Sequence, residues 1–306
     1  MPLDPVAQKL LDDWLASGRP NAHLLPVAEA RANFEALFAD LPHEDVAAVA
    51  DHAIGVRGGT IPARSYHPTD EPDLPLVVYF HGGGWLLGSV QSHDGVCRAL
   101  ANASGCVVLN VGYRCAPEHT FPTAPDDALA ATRWAHANAA ALGADAGRLA
   151  VAGDSAGGNL ATIVCQDLRD ADDPAVRFQL LVYPVTTASL EVGFDRAYEG
   201  YFLYWDEMLW HQEHYLADAA DAVSPRVSPL NGDLRGLPPA SIQSAECDPL
   251  HPQAEAYRDA LRAAGVEVAY RTYPGMIHGY FGLESVFPVA ADAMRAAGDA
   301  LRAALA

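Results

Sequence analysis

Lysine is nearly absent from this chain: Lys9 stands alone, and 19 basic residues face 39 acidic ones, for a formal charge of -20 at pH 7. So acidic a protein is repelled by nucleic-acid phosphates and by anionic membrane surfaces, so neither is expected as a partner and a small neutral substrate fits better. Cysteine is scarce. Cys97, Cys106, Cys115, Cys165 and Cys247 are odd in number and widely spread, with no C-x-x-C pair and no zinc-like spacing. They read as reduced core thiols, and no metal or other cofactor is expected. There is no run of about 18 apolar residues to span a bilayer. The opening Met1-Pro2-Leu3-Asp4-Pro5 lacks the basic and then apolar segments of a leader, so a cytoplasmic protein is expected. Internal repeats and low-complexity tracts are missing as well.

What is present suffices for one large core: 306 residues, of which 50% are apolar. Two helical patterns come first, Pro5 to Ser17 and Val27 to Asp40, separated by Pro20 and Pro26. Val46 to Val56 and Thr60 to Tyr66 then predict a hairpin turning at Arg57-Gly58-Gly59. Leu74 to Phe80 is continuously apolar, as in a strand buried on both faces. From there strands (106–111, 148–152, 178–183, 240–245, 266–273) alternate with helices (92–103, 124–141, 253–264, 285–305). That rhythm predicts an α/β fold with a mostly parallel sheet of about eight strands and helices on both faces. The strand 266–273 is a candidate sheet edge, which leaves a monomer or a homodimer.

One segment breaks the alternation. Between Pro184 and Pro238 a single helix would suffice, yet the stretch is long and carries Tyr198, Tyr201, Phe202, Tyr204, Trp205 and Trp210. It is either a surface insertion stapled by its aromatics or a lid that joins the N-terminal helices; long insertions in compact domains favour the lid. The expected cap is therefore about 1–42 and about 188–225 within a single domain.

The chemistry centres on Gly153-Asp154-Ser155-Ala156-Gly157, which lies between a short apolar run and a helix-like stretch. Glycine on both sides permits a sharp strand-to-helix turn that leaves the serine hydroxyl exposed. Upstream, His81-Gly82-Gly83-Gly84-Trp85 follows a strand end, where three glycines free backbone N–H groups to face a ligand; His81 itself reads as a brace for that loop. Downstream, Glu246 and Asp248 both follow the strand 240–245. Asp248, held before Pro249, is the better acid. Of twelve histidines, His278 lies between the last strand and the last helix. Glu207, His211 and His214 share a helix face and raise a metal site, but apolar surroundings and the lack of a further ligand favour surface or packing roles.

These motifs, with Tyr113-Arg114-Cys115-Ala116-Pro117-Glu118-His119, Asp248-Pro249-Leu250 and Gly275-Met276-Ile277-His278-Gly279-Tyr280, resemble the hormone-sensitive-lipase-like branch of the α/β-hydrolases, bacterial carboxylesterases with an HGGGW-type loop and a GDSAGG elbow. The resemblance runs from the Leu74 strand to the last helix. It implies Ser155 as nucleophile, His278 as general base and then acid, Asp248 as the orienting carboxylate, and the N–H groups of Gly83, Gly84 and Ala156 as the oxyanion hole. It implies a cap made of the two segments named above. The aromatic residues Trp85, Phe34, Phe38, Tyr183, Tyr201 and Phe202 are candidates either to line the pocket or to pack the core.

The chain departs from the pattern at Gly112, Cys115 and Thr120, and at His251-Pro252-Gln253-Ala254, where an acidic pair is usual; the bracing of the Asp248 loop is thereby open. The expected reaction is hydrolysis of short- to medium-chain acyl esters through an acyl-enzyme. Activity should rise with pH as a histidine of ordinary pKa, about 6 to 7, deprotonates. Alternatives are a small-molecule deacetylase or amidase on the same triad, or a non-catalytic receptor on a hydrolase scaffold.

Overall fold

The computed structural model describes residues 2–173 and 175–306. Helices α1 (Pro5–Ala16) and α2 (Val27–Phe38) precede the sheet. Strands β1 (Ala48–Val56), β2 (Gly59–His67), β3 (Leu74–Phe80), β4 (Val107–Val111), β5 (Ala144–Asp154), β6 (Val176–Val182), β7 (Ala240–Ala245) and β8 (Val268–Tyr273) form one sheet in the order β1-β2-β4-β3-β5-β6-β7-β8. β2 runs antiparallel to β1 and β4, and the other pairs are parallel. The expected hairpin and the expected edge position of β8 are both there.

Helices α3 (Asp94–Ser104), α4 (Thr123–Ala137), α5 (Ala156–Asp170), α6 (Leu190–Gly193), α7 (Trp205–Tyr215), α8 (His251–Ala263) and α9 (Pro288–Leu305) complete the order. The sheet separates two apolar cores. Leu76, Val78 and Phe80 enter one with Leu160 and Val164 of α5, while Val77 and Tyr79 enter the other with Leu100 of α3 and Leu301 of α9. This is the two-residue period of a strand buried on both sides, and it explains why β3 has no polar face. The last helix begins at Pro288 rather than at residue 285, because a proline fits the first helical turn, where its missing N–H costs nothing.

The strand order positions the site. From β3 the chain crosses to β4 on one side and then to β5 on the other, so the loops after β3 and β5 diverge at adjacent strand ends. Such a switch point is where open parallel sheets bind ligands. The register pairs Phe80 with Gly153, which brings the glycine loop beside the serine turn.

The segments outside the strand-helix alternation meet each other. The rings of Trp14 and Phe202 are 6.3 Å apart, and those of His23 and Tyr204 6.2 Å. Arg31 of α2 is also fixed to the body, donating to the carbonyls of Leu86 (2.8 Å) and Ala116 (2.6 Å) and to both oxygens of Glu118.

Candidate active site

Ser155 occupies the apex between β5 and α5 with φ 54° and ψ -117°, a region costly for any residue with a Cβ. Its surroundings hold it there. The Ser155 N–H donates to the Val182 carbonyl (2.9 Å), and its own carbonyl accepts from Asn159 and Val185. The flanking glycines are obligatory: a Cβ on Gly157 would stand 1.9 Å from the Phe80 carbonyl oxygen, and one on Gly153 would stand 2.3 Å from the Gly157 carbonyl carbon. No side chain fits between a strand end and a helix start packed this closely.

Two loops reach the serine from the far end of the sheet. His278 Nε2 lies 3.0 Å from Ser155 Oγ, and His278 Nδ1 lies 2.7 Å from Asp248 Oδ2. Asp248 is fully buried, and its other oxygen accepts the Leu250 N–H at 2.8 Å. Glu246, the rival acid in the sequence, instead accepts the Gly275 N–H (2.9 Å) and so ties the histidine loop to the aspartate loop. Backbone bonds from Glu246 to Tyr273 and from Cys247 to Met276 strengthen the same tie.

The departure at His251-Pro252-Gln253-Ala254 is braced differently. Buried Gln253 accepts the N–H groups of Thr186 and Thr187 through Oε1, and its carbonyl accepts the Thr186 hydroxyl. The segment thus secures the start of the long insertion. The Asp248 loop is held by Glu246, by Leu250, and by the bond from Asp195 N–H to the Pro249 carbonyl (2.7 Å).

In the glycine loop, the Gly82 N–H is committed to Asp154 Oδ1 at 3.0 Å. Among the described residues no acceptor takes the N–H of Gly83 or Gly84, whose φ values of 109° and 61° only glycine adopts readily. The Ala156 N–H begins α5 and has no partner within that helix. His81 is fully buried, stacks on Tyr113 at 4.2 Å and donates from Nδ1 to the Gly82 carbonyl. Burial, with His93 adding to it, depresses its pKa to about 3, so it is a neutral brace. The Tyr113 hydroxyl donates to the His81 carbonyl, Arg114 grips buried Asp127, and Glu118 meets Arg31; these bonds account for much of the Tyr113–His119 motif.

The six aromatic candidates divide. The Tyr183 ring lies 4.4 Å from that of His278, beside the chemistry. Trp85 is buried and stacks on Tyr215 of α7 at 4.4 Å, which makes it a seam between loop and insertion. Phe34 pairs with Phe38, which stacks 6.0 Å from His93. Tyr201 pairs with Tyr198, and Phe202 is exposed against Trp14.

Sequence reasoning missed one cluster. Asp154 accepts from the Tyr79 hydroxyl at 2.7 Å and lies 3.4 Å from His93 Nε2. Burial pushes the Asp154 carboxyl up, but the charge and hydrogen bond of His93 and the Tyr79 hydroxyl outweigh it, so its pKa falls below the usual carboxylate range. Its place beside the serine was a signal; nothing in the sequence pointed to His93. Two surface concavities of about 170 and 310 Å³ involve none of these residues. No group of three or more His, Cys, Asp or Glu among the described residues is arranged to hold a metal ion.

A serine at a strand-to-helix elbow, a histidine and a buried carboxylate in series, and a glycine loop with free N–H groups define a serine hydrolase of the α/β class. A family model described as alpha/beta hydrolase fold matches residues 77–282. Carboxylesterase NlhH of Mycobacterium tuberculosis is 40% identical over 99% of this chain and 96% of that protein. The ethyl acetate hydrolase of Pseudomonas putida is 42% identical over 92% of this chain and 91% of its own length. Among solved structures, a hyperthermophilic esterase from Pyrobaculum calidifontis superposes with a TM-score of 0.92 at 39% identity, covering 99% of both chains. This chain belongs to the α/β-hydrolase fold family, in the hormone-sensitive-lipase-like branch of carboxylesterases.

Proposed function

We propose that the chain hydrolyses short- to medium-chain acyl esters through an acyl-enzyme at Ser155. The observation that carries this reading is the pair of hydrogen bonds through His278, 3.0 Å to Ser155 Oγ and 2.7 Å to Asp248. His278 Nε2 takes the Ser155 proton as Oγ attacks the ester carbonyl, while Asp248 accepts from Nδ1–H, fixing the tautomer and stabilising the imidazolium. The N–H groups of Gly83, Gly84 and Ala156 receive the oxyanion; each such donor is worth roughly 100- to 1000-fold in rate. Collapse expels the alcohol with the proton from His278, and water then repeats the sequence on the acyl-enzyme.

Helices α1, α2 and α7 form the cap in this reading, with Trp14–Phe202 and His23–Tyr204 joining its two parts. The name of the ethyl acetate hydrolase relative supports a small acyl group. The five cysteines are free, four of them buried, which supports a reducing, cytoplasmic setting.

The test is a p-nitrophenyl ester series from acetate to palmitate, with the matching acetanilide, on the wild type and Ser155→Ala. Rates should peak among the shorter acyl chains, exceed those on the anilide, and fall roughly 10⁴-fold or more in the variant. Equal rates for the two proteins would sink the enzyme reading, and a faster anilide would favour an amidase.

A further inference from the structure

We propose that Glu207 and His211 of α7 form a polar specificity subsite at the catalytic centre, which takes substrates bearing a hydrogen-bond donor, a hydroxyl or protonated amine, a few atoms from the ester carbonyl. The proposal rests on the ester-hydrolase reading above. Residues 207 and 211 are four apart on one helix and so share a face.

His211 packs directly on the glycine loop. A Cβ on Gly84 would stand 2.3 Å from His211 Nδ1, beside one of the N–H groups assigned to the oxyanion. His211 is only 5% exposed, and its Nδ1 has no hydrogen-bond partner among the described residues. Burial, with His214 and His23 adding to it, holds its pKa down to about 3, so the ring is neutral, with one nitrogen a donor and the other an acceptor.

Glu207 lies one turn before His211 on the same face, and burial, opposed by the charge of His278, lifts its carboxyl to about 7. No hydrogen bond or ion pair is formed by its side chain among the described residues, yet it keeps partial access to solvent. Its exposed neighbour Asp206 already supplies the first-turn charge that a helix N-terminus favours. The metal reading of this face has no support, since His214 Nδ1 is hydrogen-bonded to the Trp210 carbonyl (2.9 Å).

A sealed imidazole nitrogen without a partner and a desolvated carboxyl cost stability that apolar residues on this face would not. A substrate hydroxyl can donate to the Glu207 carboxylate and accept from the His211 ring nitrogen that is not sealed against Gly84, and an ammonium can donate to both. Ester sites dedicated to plain alkyl chains have no use for such a pair, whereas sites that read a hydroxyl or amine reject the analogue lacking it.

The experiment measures kcat/KM for ethyl butanoate, ethyl 3-hydroxybutanoate, ethyl 4-aminobutanoate and 2-hydroxyethyl butanoate on the wild type, Glu207→Met, Glu207→Gln and His211→Phe. Rates are taken per active serine titrated with an organophosphate, so poorly folded molecules drop out of the ratio. The wild type should favour donor-bearing esters over ethyl butanoate, and that ratio should fall about tenfold in Glu207→Met and in His211→Phe. Glu207→Gln should keep the hydroxyl preference and lose the amine preference. A gain confined to 2-hydroxyethyl butanoate also supports the subsite, on the alcohol side. The proposal is overturned if the wild type prefers the alkyl ester throughout, or if the ratio is the same in all four proteins. A wild type no faster than Ser155→Ala on ethyl butanoate would instead overturn the ester-hydrolase reading.

Discussion

Asp154 Oδ1 accepts the Gly82 N–H at 3.0 Å, so the residue before the elbow serine also fixes the glycine loop that faces it. Tyr79 donates to the same oxygen, and His93 approaches it. One carboxylate therefore sets the distance between Ser155 and the N–H groups of the glycine loop. Asp154→Ala should lower kcat about 100-fold or more, the scale of one displaced oxyanion donor, with a much smaller change in KM. Asp154→Asn keeps an acceptor for Gly82 and should recover at least tenfold of that loss. Steady-state kinetics on a short p-nitrophenyl ester decide it, and equal kcat for Asp154→Ala and wild type would refute the role.

The glycines that flank the elbow tolerate no Cβ. Gly157→Ala places a methyl 1.9 Å from the Phe80 carbonyl, which is backbone and cannot swing aside. The expected cost exceeds about 3 kcal/mol, read as a large drop in the urea midpoint or as a failure to accumulate soluble protein. Gly59→Ala meets nothing within 4 Å and should stay within roughly 0.5 kcal/mol of wild type.

Two buried neutral histidines should make the protein acid-sensitive. His81 and His211 are both held down to about 3, against an ordinary value of 6.5. Below pH 6.5 the unfolded chain binds protons at both sites and the native protein does not, so stability falls as pH drops from about 6.5 toward 3. Each group contributes about 1.4 kcal/mol per pH unit within that window. Glu207, raised to about 7, works the other way between about 4.5 and 7. Urea unfolding at pH 7.5, 6, 5 and 4 should show a shallower acid limb for His211→Phe and a steeper one for Glu207→Gln. Parallel curves for all three proteins would contradict the assignment.

Arg31 holds α2 to the body through two backbone carbonyls as well as Glu118, whose side chain is 57% exposed. An exposed ion pair contributes at most about 1 kcal/mol, whereas two carbonyls stripped of a charged donor lose more. Glu118→Gln should therefore be nearly silent. Arg31→Ala should raise KM several-fold and lower the melting temperature by several degrees, by loosening α2 from the body; equal effects from the two variants would show that the ion pair dominates.

The strand-helix alternation, the order serine, aspartate, histidine and the two glycine motifs were legible because each is a local requirement. A strand buried on both faces must be apolar throughout, and a turn as sharp as that at Ser155 needs glycine where Gly153 and Gly157 stand. Those features, read in order along the chain, determined the fold class and pointed to Ser155, Asp248 and His278, which the structure joins by hydrogen bonds. Asp248 was already the better acid in the sequence, but only the tertiary structure gave Glu246 its place on the Gly275 N–H, because both carboxylates follow the same strand and differ only in where the loop turns. It alone stacked Trp85 on Tyr215, drew His93 toward Asp154, and turned His211 onto Gly84. Those pairings join segments distant in sequence, and residue pattern carries no signal for a contact that depends on how two separately folded elements come to rest on each other.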